Sequence, residues 1–364
     1  MKFIDEYRDP ALVRGLLDNL TILAAGIGRE ITLMEICGTH TQAICRFGLR
    51  RLLPANIRLI SGPGCPVCVT SMVDVDRALY LAGLPNVTFA TFGDMLRVPG
   101  TGGESLQRLR ASGSDVRVVS SALDGLRLAA ENPARDVVLM GIGFETTAPT
   151  VASAIRSARR KGVGNFTVFC VHKTVPQAIR ALIDDPDLRI DGFICPGHVS
   201  IITGVQAYEM IPRAGRAAVI TGFEPADMIE GILMLLRQIM EGRYAVTIQY
   251  TRGVKEQGNP RAREVMADVF EAGDADWRGL GVIPGSGLFI RRDYEAFNTL
   301  KRFTLPEIRS VEFKGCRCGD VLRGVINPGE CPLFRKACTP ANPVGPCMVS
   351  FEGTCAAYYK YEGL

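Results

Sequence analysis

Short apolar runs recur along the first 250 residues: Ile31–Ile36, Ile57–Ile60, Val87–Phe92 and Val116–Val119, then Val137–Ile142, Phe166–Val171, Ile190–Cys195, Ala217–Thr221 and Ala245–Tyr250. Between them lie stretches of helical periodicity, among them Val73–Ala82, Ser105–Ala111, Val151–Lys161, Val175–Ile183 and Ala226–Glu241. A strand covered on both faces has no polar side, so an unbroken apolar run followed by a helix marks a βαβ unit. The alternation predicts two parallel-sheet α/β domains facing a central cleft, at 28–130 and 131–250. A helical segment precedes them within 1–27, with Asp9 as N-cap, Pro10 in the first turn, and Leu12, Leu16, Leu17 and Leu20 on one face.

Beyond residue 250 the pattern breaks into charged, turn-rich sequence with one clear helix near Arg261–Phe270. Pro328, Pro332, Pro340, Pro343 and Pro346 divide the tail into loops that bury little on their own. A third domain at 251–364, irregular and partly helical, therefore needs another source of order. The tail carries six cysteines: Cys316, Cys318, Cys331, Cys338, Cys347 and Cys355.

Residues capable of chemistry collect in the turns that follow the expected strands. They include Cys37-Gly38-Thr39-His40, Gly62-Pro63-Gly64-Cys65-Pro66-Val67-Cys68, Gly141-Ile142-Gly143-Phe144-Glu145-Thr146-Thr147, His172-Lys173-Thr174, Pro196-Gly197-His198 and Gly222-Phe223-Glu224. Open α/β sheets bind ligands at the carboxyl ends of their strands, where loops and helix N-termini converge. All three histidines of the chain lie in these turns.

Composition narrows the chemistry. A net charge of +4 without a basic block argues against nucleic-acid binding, and 47% hydrophobic with 22% charged residues argues for a globular chain. The charged start, Met1 to Asp9, does not resemble a secretory leader. The apolar stretch Met228–Met240 contains Glu230 and Arg237 and is too short to span a bilayer, so no membrane segment is expected and a cytoplasmic setting is. In a reducing compartment, 12 cysteines point to metal ligation or thiol redox chemistry rather than a disulfide framework.

Four thiolates suffice for tetrahedral zinc or for an iron–sulfur cluster. The tail lacks the two close cysteine pairs usual in structural zinc sites, so a cluster with two thiols to spare fits better than zinc, and zinc better than disulfides. Cys65 and Cys68 form a C-x-x-C, a redox pair or half of a zinc site, and no second C-x-x-C exists in the chain. Cys37, three residues before His40, is a candidate nucleophile or soft-metal ligand. Cys45, Cys170 and Cys195 read as buried structural thiols. Two phosphate-loop look-alikes are weak: Glu104 stands where Pro99–Ser105 would need a lysine, and Gly141-x-Gly143 lacks the third glycine. Glu145 is a candidate proton-transfer group, with helix capping by Thr146 or Thr147 as the simpler reading of that turn.

Together, Cys37-Gly38-Thr39-His40, Gly62 to Thr70, Gly141 to Pro149, Pro196-Gly197-His198-Val199-Ser200 and the six-cysteine tail resemble the HypD family of hydrogenase maturation factors. The resemblance implies a scaffold for assembling the transient Fe(CN)2CO unit of nickel–iron hydrogenase, an assembly protein rather than a conventional turnover enzyme. Its implied partners are a small chaperone, HypC, and a cyanide donor, HypE. It implies Cys37 as the iron ligand, His40 beside it, and Cys65/Cys68 as a redox pair. Cys316, Cys331, Cys338 and Cys355 become the 4Fe-4S ligands, and Cys318 and Cys347 an additional thiol pair. The family motif often carries a second histidine where this chain has Gln42, which hydrogen-bonds but takes up no proton at neutral pH. Two rival readings are a stand-alone iron–sulfur thiol-disulfide oxidoreductase and a zinc protein that only docks partners.

Overall fold

The structure, a computed structural model, describes residues 4–186 and 188–363. Residues 1–3 of the expected opening segment and residue 364 of the expected third domain lie outside the described residues. All nine expected parallel strands form within two residues of their apolar runs: β1 (Ile31–Glu35), β2 (Ile57–Ser61), β3 (Val87–Thr91), β4 (Val116–Val118), β5 (Asp136–Gly141), β6 (Phe166–Cys170), β7 (Gly192–Pro196), β8 (Ala217–Thr221) and β9 (Val246–Ile248). The α/β class with two parallel sheets holds.

The strands do not sort into sheets in chain order. One sheet runs β2-β1-β7-β8-β9 and the other β4-β3-β5-β6, all parallel. The expected division into 28–130 and 131–250 therefore cuts through the four-stranded sheet, and the five-stranded sheet draws strands from both stretches. The physical reason is that strands buried on both faces all read alike: the apolar run predicts burial but not the neighbour.

Each face of the five-stranded sheet has its own core. Ile31, Leu33, Ile57, Leu59, Ile194 and Val219 face the helix Pro225–Glu241, against which the opening helix Pro10–Ile27 also packs. That opening helix starts as expected, with Asp9 accepting the Ala11 and Leu12 amides. It is long and apolar enough, by length and composition, to cross a membrane, a property not expected above, and here it lies along Pro225–Glu241 with Leu20 and Ala24 buried. On the opposite face Met34, Ile36, Ile60, Phe193 and Ile220 join a core shared with Phe89, Met140 and Phe169 of the four-stranded sheet and with the cysteine tail.

The boundary at 251 also shifts. The helix Pro260–Val269 and an antiparallel hairpin, β10 (Phe270–Trp277) and β11 (Gly281–Ile290), place Val269, Phe270, Leu288 and Ile290 in one core with Val137, Leu139 and Ile155. This segment thus belongs with the four-stranded sheet, and only the later tail is the irregular, cysteine-bearing part. The hairpin was hidden because β11 is interrupted by Gly281, Pro284, Gly285 and Gly287, and β10 alternates small and acidic residues.

Candidate functional site

In the five-stranded sheet the chain leaves β1 toward β2 on one side and β7 toward β8 on the other, so the order reverses between β1 and β7. Such a reversal opens a crevice at the strand ends, because the two crossover connections diverge there. Cys37 lies directly at it, after β1, as N-cap of the helix Gly38–Arg46. Pro196-Gly197-His198 follows β7 and Gly222-Phe223 follows β8 on the adjoining side.

The Cys37 backbone is tightly held. Its amide donates to Glu35 Oε2 at 3.0 Å, and Thr41 Oγ1 donates to the other carboxylate oxygen. The Gly38 amide donates to Gly64 O at 2.9 Å, which locks the turn before Cys65 against Cys37. From the tail, Glu352 accepts Thr39 Oγ1 at 2.9 Å, and its Cβ occupies the space that a side chain at Gly38 would need. Burial pushes the Cys37 thiol up to about 12, with the Glu352 carboxylate adding to the rise and the Thr39 and His40 amides opposing it. At neutral pH the sulfur keeps its proton until a cation replaces it, which suits a metal ligand better than a free nucleophile.

His40 is fully buried, and its Nε2 stands 3.0 Å from both Gly222 O and Thr221 Oγ1. A carbonyl only accepts, so Nε2 carries the hydrogen and Nδ1 presents a lone pair, which has no partner. Burial lowers the imidazole to about 4, and it stays neutral. His40 packs on Phe223 at 4.8 Å, and Phe223 stacks on the exposed His198 at 4.1 Å. The imidazole, benzyl and imidazole rings thus lead outward from the buried site. Gln42, half-buried, lies on the same helix as His40.

Cys65 and Cys68 form a disulfide at the start of the short helix Pro66–Val69, and both are buried. Cys68 Sγ lies 4.0 Å from Pro346 O, which brings the tail segment Pro346–Met348 onto this turn. All six tail cysteines line one pocket with Leu333, Phe334 and Met348. The thiols of Cys316, Cys318, Cys347 and Cys355 stand within hydrogen-bond reach in series, and Cys338 Sγ accepts the Val344 amide at 3.4 Å. Among the described residues no three His, Cys, Asp or Glu side chains converge on a single metal-sized point. A cluster of several irons takes one thiolate per iron around its periphery, so thiols lining a common pocket fit a cluster better than a lone ion.

Glu145 is not brought to Cys37. It is buried after β5 and accepts the Val175 amide at 3.1 Å, capping the helix Val175–Asp184. Burial raises its carboxyl to about 7 from 4.5. Between those values the unfolded chain ionises this carboxyl while the folded chain keeps its proton, so its contribution to stability falls as pH rises and levels off above 7. Chemical denaturation is expected to show the wild type losing about 3 kcal/mol relative to Glu145→Gln between pH 4.5 and 7. A pH-independent difference would refute this.

Cys45 and Cys195 are buried as expected, and Cys170 is partly buried, with Sγ 3.5 Å from His172 Nδ1. Sequence reasoning missed Glu352 as a neighbour of Cys37 and gave no role to His198 or Phe223. The only signal for Glu352 was an acidic residue between two tail cysteines, and nothing local points it at Cys37.

A family model named HypD and described as the hydrogenase formation hypA family matches residues 11–362. The chain is 48% identical over 373 residues to a hydrogenase maturation factor HypD of Rhodobacter capsulatus, covering 100% of this chain and 99% of that one. It is 46% identical over 369 residues to the factor of the same name from Rhizobium leguminosarum bv. viciae, covering 99% and 96%. The corresponding Escherichia coli K12 protein is 45% identical over 368 residues, covering 100% and 98%.

Proposed function

The chain belongs to the HypD family of hydrogenase maturation factors, and from that premise we propose that it is the scaffold on which an iron carrying cyanide and carbon monoxide is assembled. The iron unit is cargo. Cys37 is its protein ligand, and the unpartnered Nδ1 lone pair of His40, three residues on in the same helix, is the proposed hydrogen-bond acceptor or further donor. Binding displaces the Cys37 proton, and Glu352, the carboxylate whose charge bears most on that thiol, holds the helix N-terminus in place meanwhile. His198, exposed at the outer end of the Phe223 stack, marks the side on which a small chaperone such as HypC and a cyanide donor such as HypE would approach. The setting proposed is the cytosol.

The observation that carries this reading is the contiguity of three thiol sites: Cys37 against Gly64-Cys65, and Cys68 against Pro346-Cys347. The tail pocket fits a 4Fe-4S cluster, for which Cys316, Cys331, Cys338 and Cys355 are the proposed ligands. Such a cluster supplies electrons singly. Reduction of the Cys65–Cys68 disulfide takes two electrons and two protons and leaves two thiols. Cys318 and Cys347, both buried and within reach of each other, are the proposed thiol pair between them.

Protein purified without oxygen is expected to contain about four irons and four sulfides per chain. Cys316→Ser should lose them and Cys318→Ser should keep them. The opposite result would exchange the two roles, and zinc without sulfide would end the redox-scaffold reading.

A further inference from the structure

Arg278 sits in the turn between β10 and β11, and its side chain is only 4% exposed. Its amide donates to Val69 O at 2.9 Å, and the adjoining Trp277 bridges Thr70, so the turn is fastened to the end of the Cys65–Cys68 helix. One residue on, Gly279 adopts φ +83°, and a Cβ on it would lie 2.3 Å from Gly319 Cα; the reverse approach is 2.8 Å. This crossing of two glycines sets Arg278 beside Cys318.

The guanidinium is poorly compensated. Nη2 reaches Met72 Sδ at 3.6 Å, and Nε has no hydrogen bond. The neighbouring carboxylate, Glu312 at 3.4 Å, is itself 57% exposed and so largely screened. A buried cation left in this state is costly unless it faces groups that become anionic. Those groups are at hand: Gly319, in contact with Gly279, directly follows Cys318, and Cys316 and Cys318 line the pocket of six thiols.

We infer that Arg278 is the charge-compensating and positioning residue of the tail thiol pocket, tying it to the Cys65–Cys68 turn and raising the reduction potential of a cluster held there. The inference rests on the cluster reading above. Reduction adds negative charge to a cluster that four thiolates already make anionic, so a nearby buried cation favours the reduced form.

The test is a dye-mediated redox titration of wild type, Arg278→Gln, Arg278→Met, Arg278→Lys and Glu312→Gln, with iron and sulfide counted on each. Arg278→Gln is expected to load its cluster but show about a tenfold lower ratio of reduced to oxidised form at a fixed potential, equivalent to a midpoint about 59 mV more negative. Arg278→Lys should stay close to wild type, and Glu312→Gln, which removes a largely screened charge, should move the midpoint little. A loaded Arg278→Gln with an unshifted midpoint overturns the inference, since a purely structural role would alter only melting temperature. Should Arg278→Gln fail to fold or load, Arg278→Met, which keeps an unbranched side chain there without the charge, decides, and an unshifted or more positive midpoint is then fatal. A wild type without iron and sulfide removes the cluster reading, whereas an unshifted midpoint in a loaded protein removes the role of Arg278 alone.

Discussion

Cys37→Ala is expected to abolish iron retention at the crevice and hydrogenase maturation in a complemented strain, while melting within a few degrees of wild type. Deleting one buried sulfur costs on the order of 1 kcal/mol, because the surrounding Gly64, Glu35 and Thr41 contacts are made by backbone and by other side chains. The functional loss is much larger, because the other thiol near the reversal between β1 and β7, Cys195, is fully buried in the core shared with the four-stranded sheet. Cys45→Ala and Cys195→Ala remove equally buried sulfurs and serve as controls, with comparable stability changes and maturation intact. A stand-alone thiol reductase would tolerate Cys37→Ala, so full retained maturation or reductase activity in that variant would favour the rival reading.

Gly64→Ala is expected to be among the most damaging single methyl additions in the chain. Its Cβ would lie 2.2 Å from Cys37 N and 2.5 Å from both Cys37 Cα and Ile36 C. These are backbone atoms at the end of a central strand, and they cannot swing aside as a side-chain tip can. Either the Gly62–Cys65 turn withdraws and breaks the Gly64 O bond to the Gly38 amide, or the end of β1 shifts and carries Cys37 with it. The expected cost is on the order of 3 kcal/mol, read by chemical denaturation, together with loss of maturation. Gly164→Ala, with open space around the new methyl, should be near neutral. Equal stability of the two variants would show that the turn is not pinned as described.

The parallel α/β class was readable from the apolar runs, because burial on both faces leaves a signature in each strand separately. Cys37, His40, Cys65 and Cys68 stood out because reactive residues concentrate at strand ends and glycine-rich turns. Partnership between strands was not readable: nothing in Ile31–Glu35 says that it lies beside Gly192–Pro196 rather than Val87–Thr91. Glu352 and Arg278 were likewise invisible, since each acts across a contact with a distant segment, Gly38-Thr39 in one case and Cys318-Gly319 in the other. Glu145 was read as a candidate proton-transfer group, and its contact with the Val175 amide was not legible because it joins two turns 30 residues apart.

The chain path through the sheets has a kinetic meaning. The four-stranded sheet uses residues 87–170 without interruption and can close as soon as that stretch is available, whereas β1 must wait for β7 and β8, more than 150 residues later. Pairings across such separations form late, after the local ones have lowered the loop-closure cost. During synthesis the Cys37 strand therefore has β2 on one side and no partner on the other, and the crevice takes shape only once most of the described chain has emerged. Until then the Cys37 thiol lacks the burial that holds its proton, so the selectivity proposed for it begins only when the crevice closes.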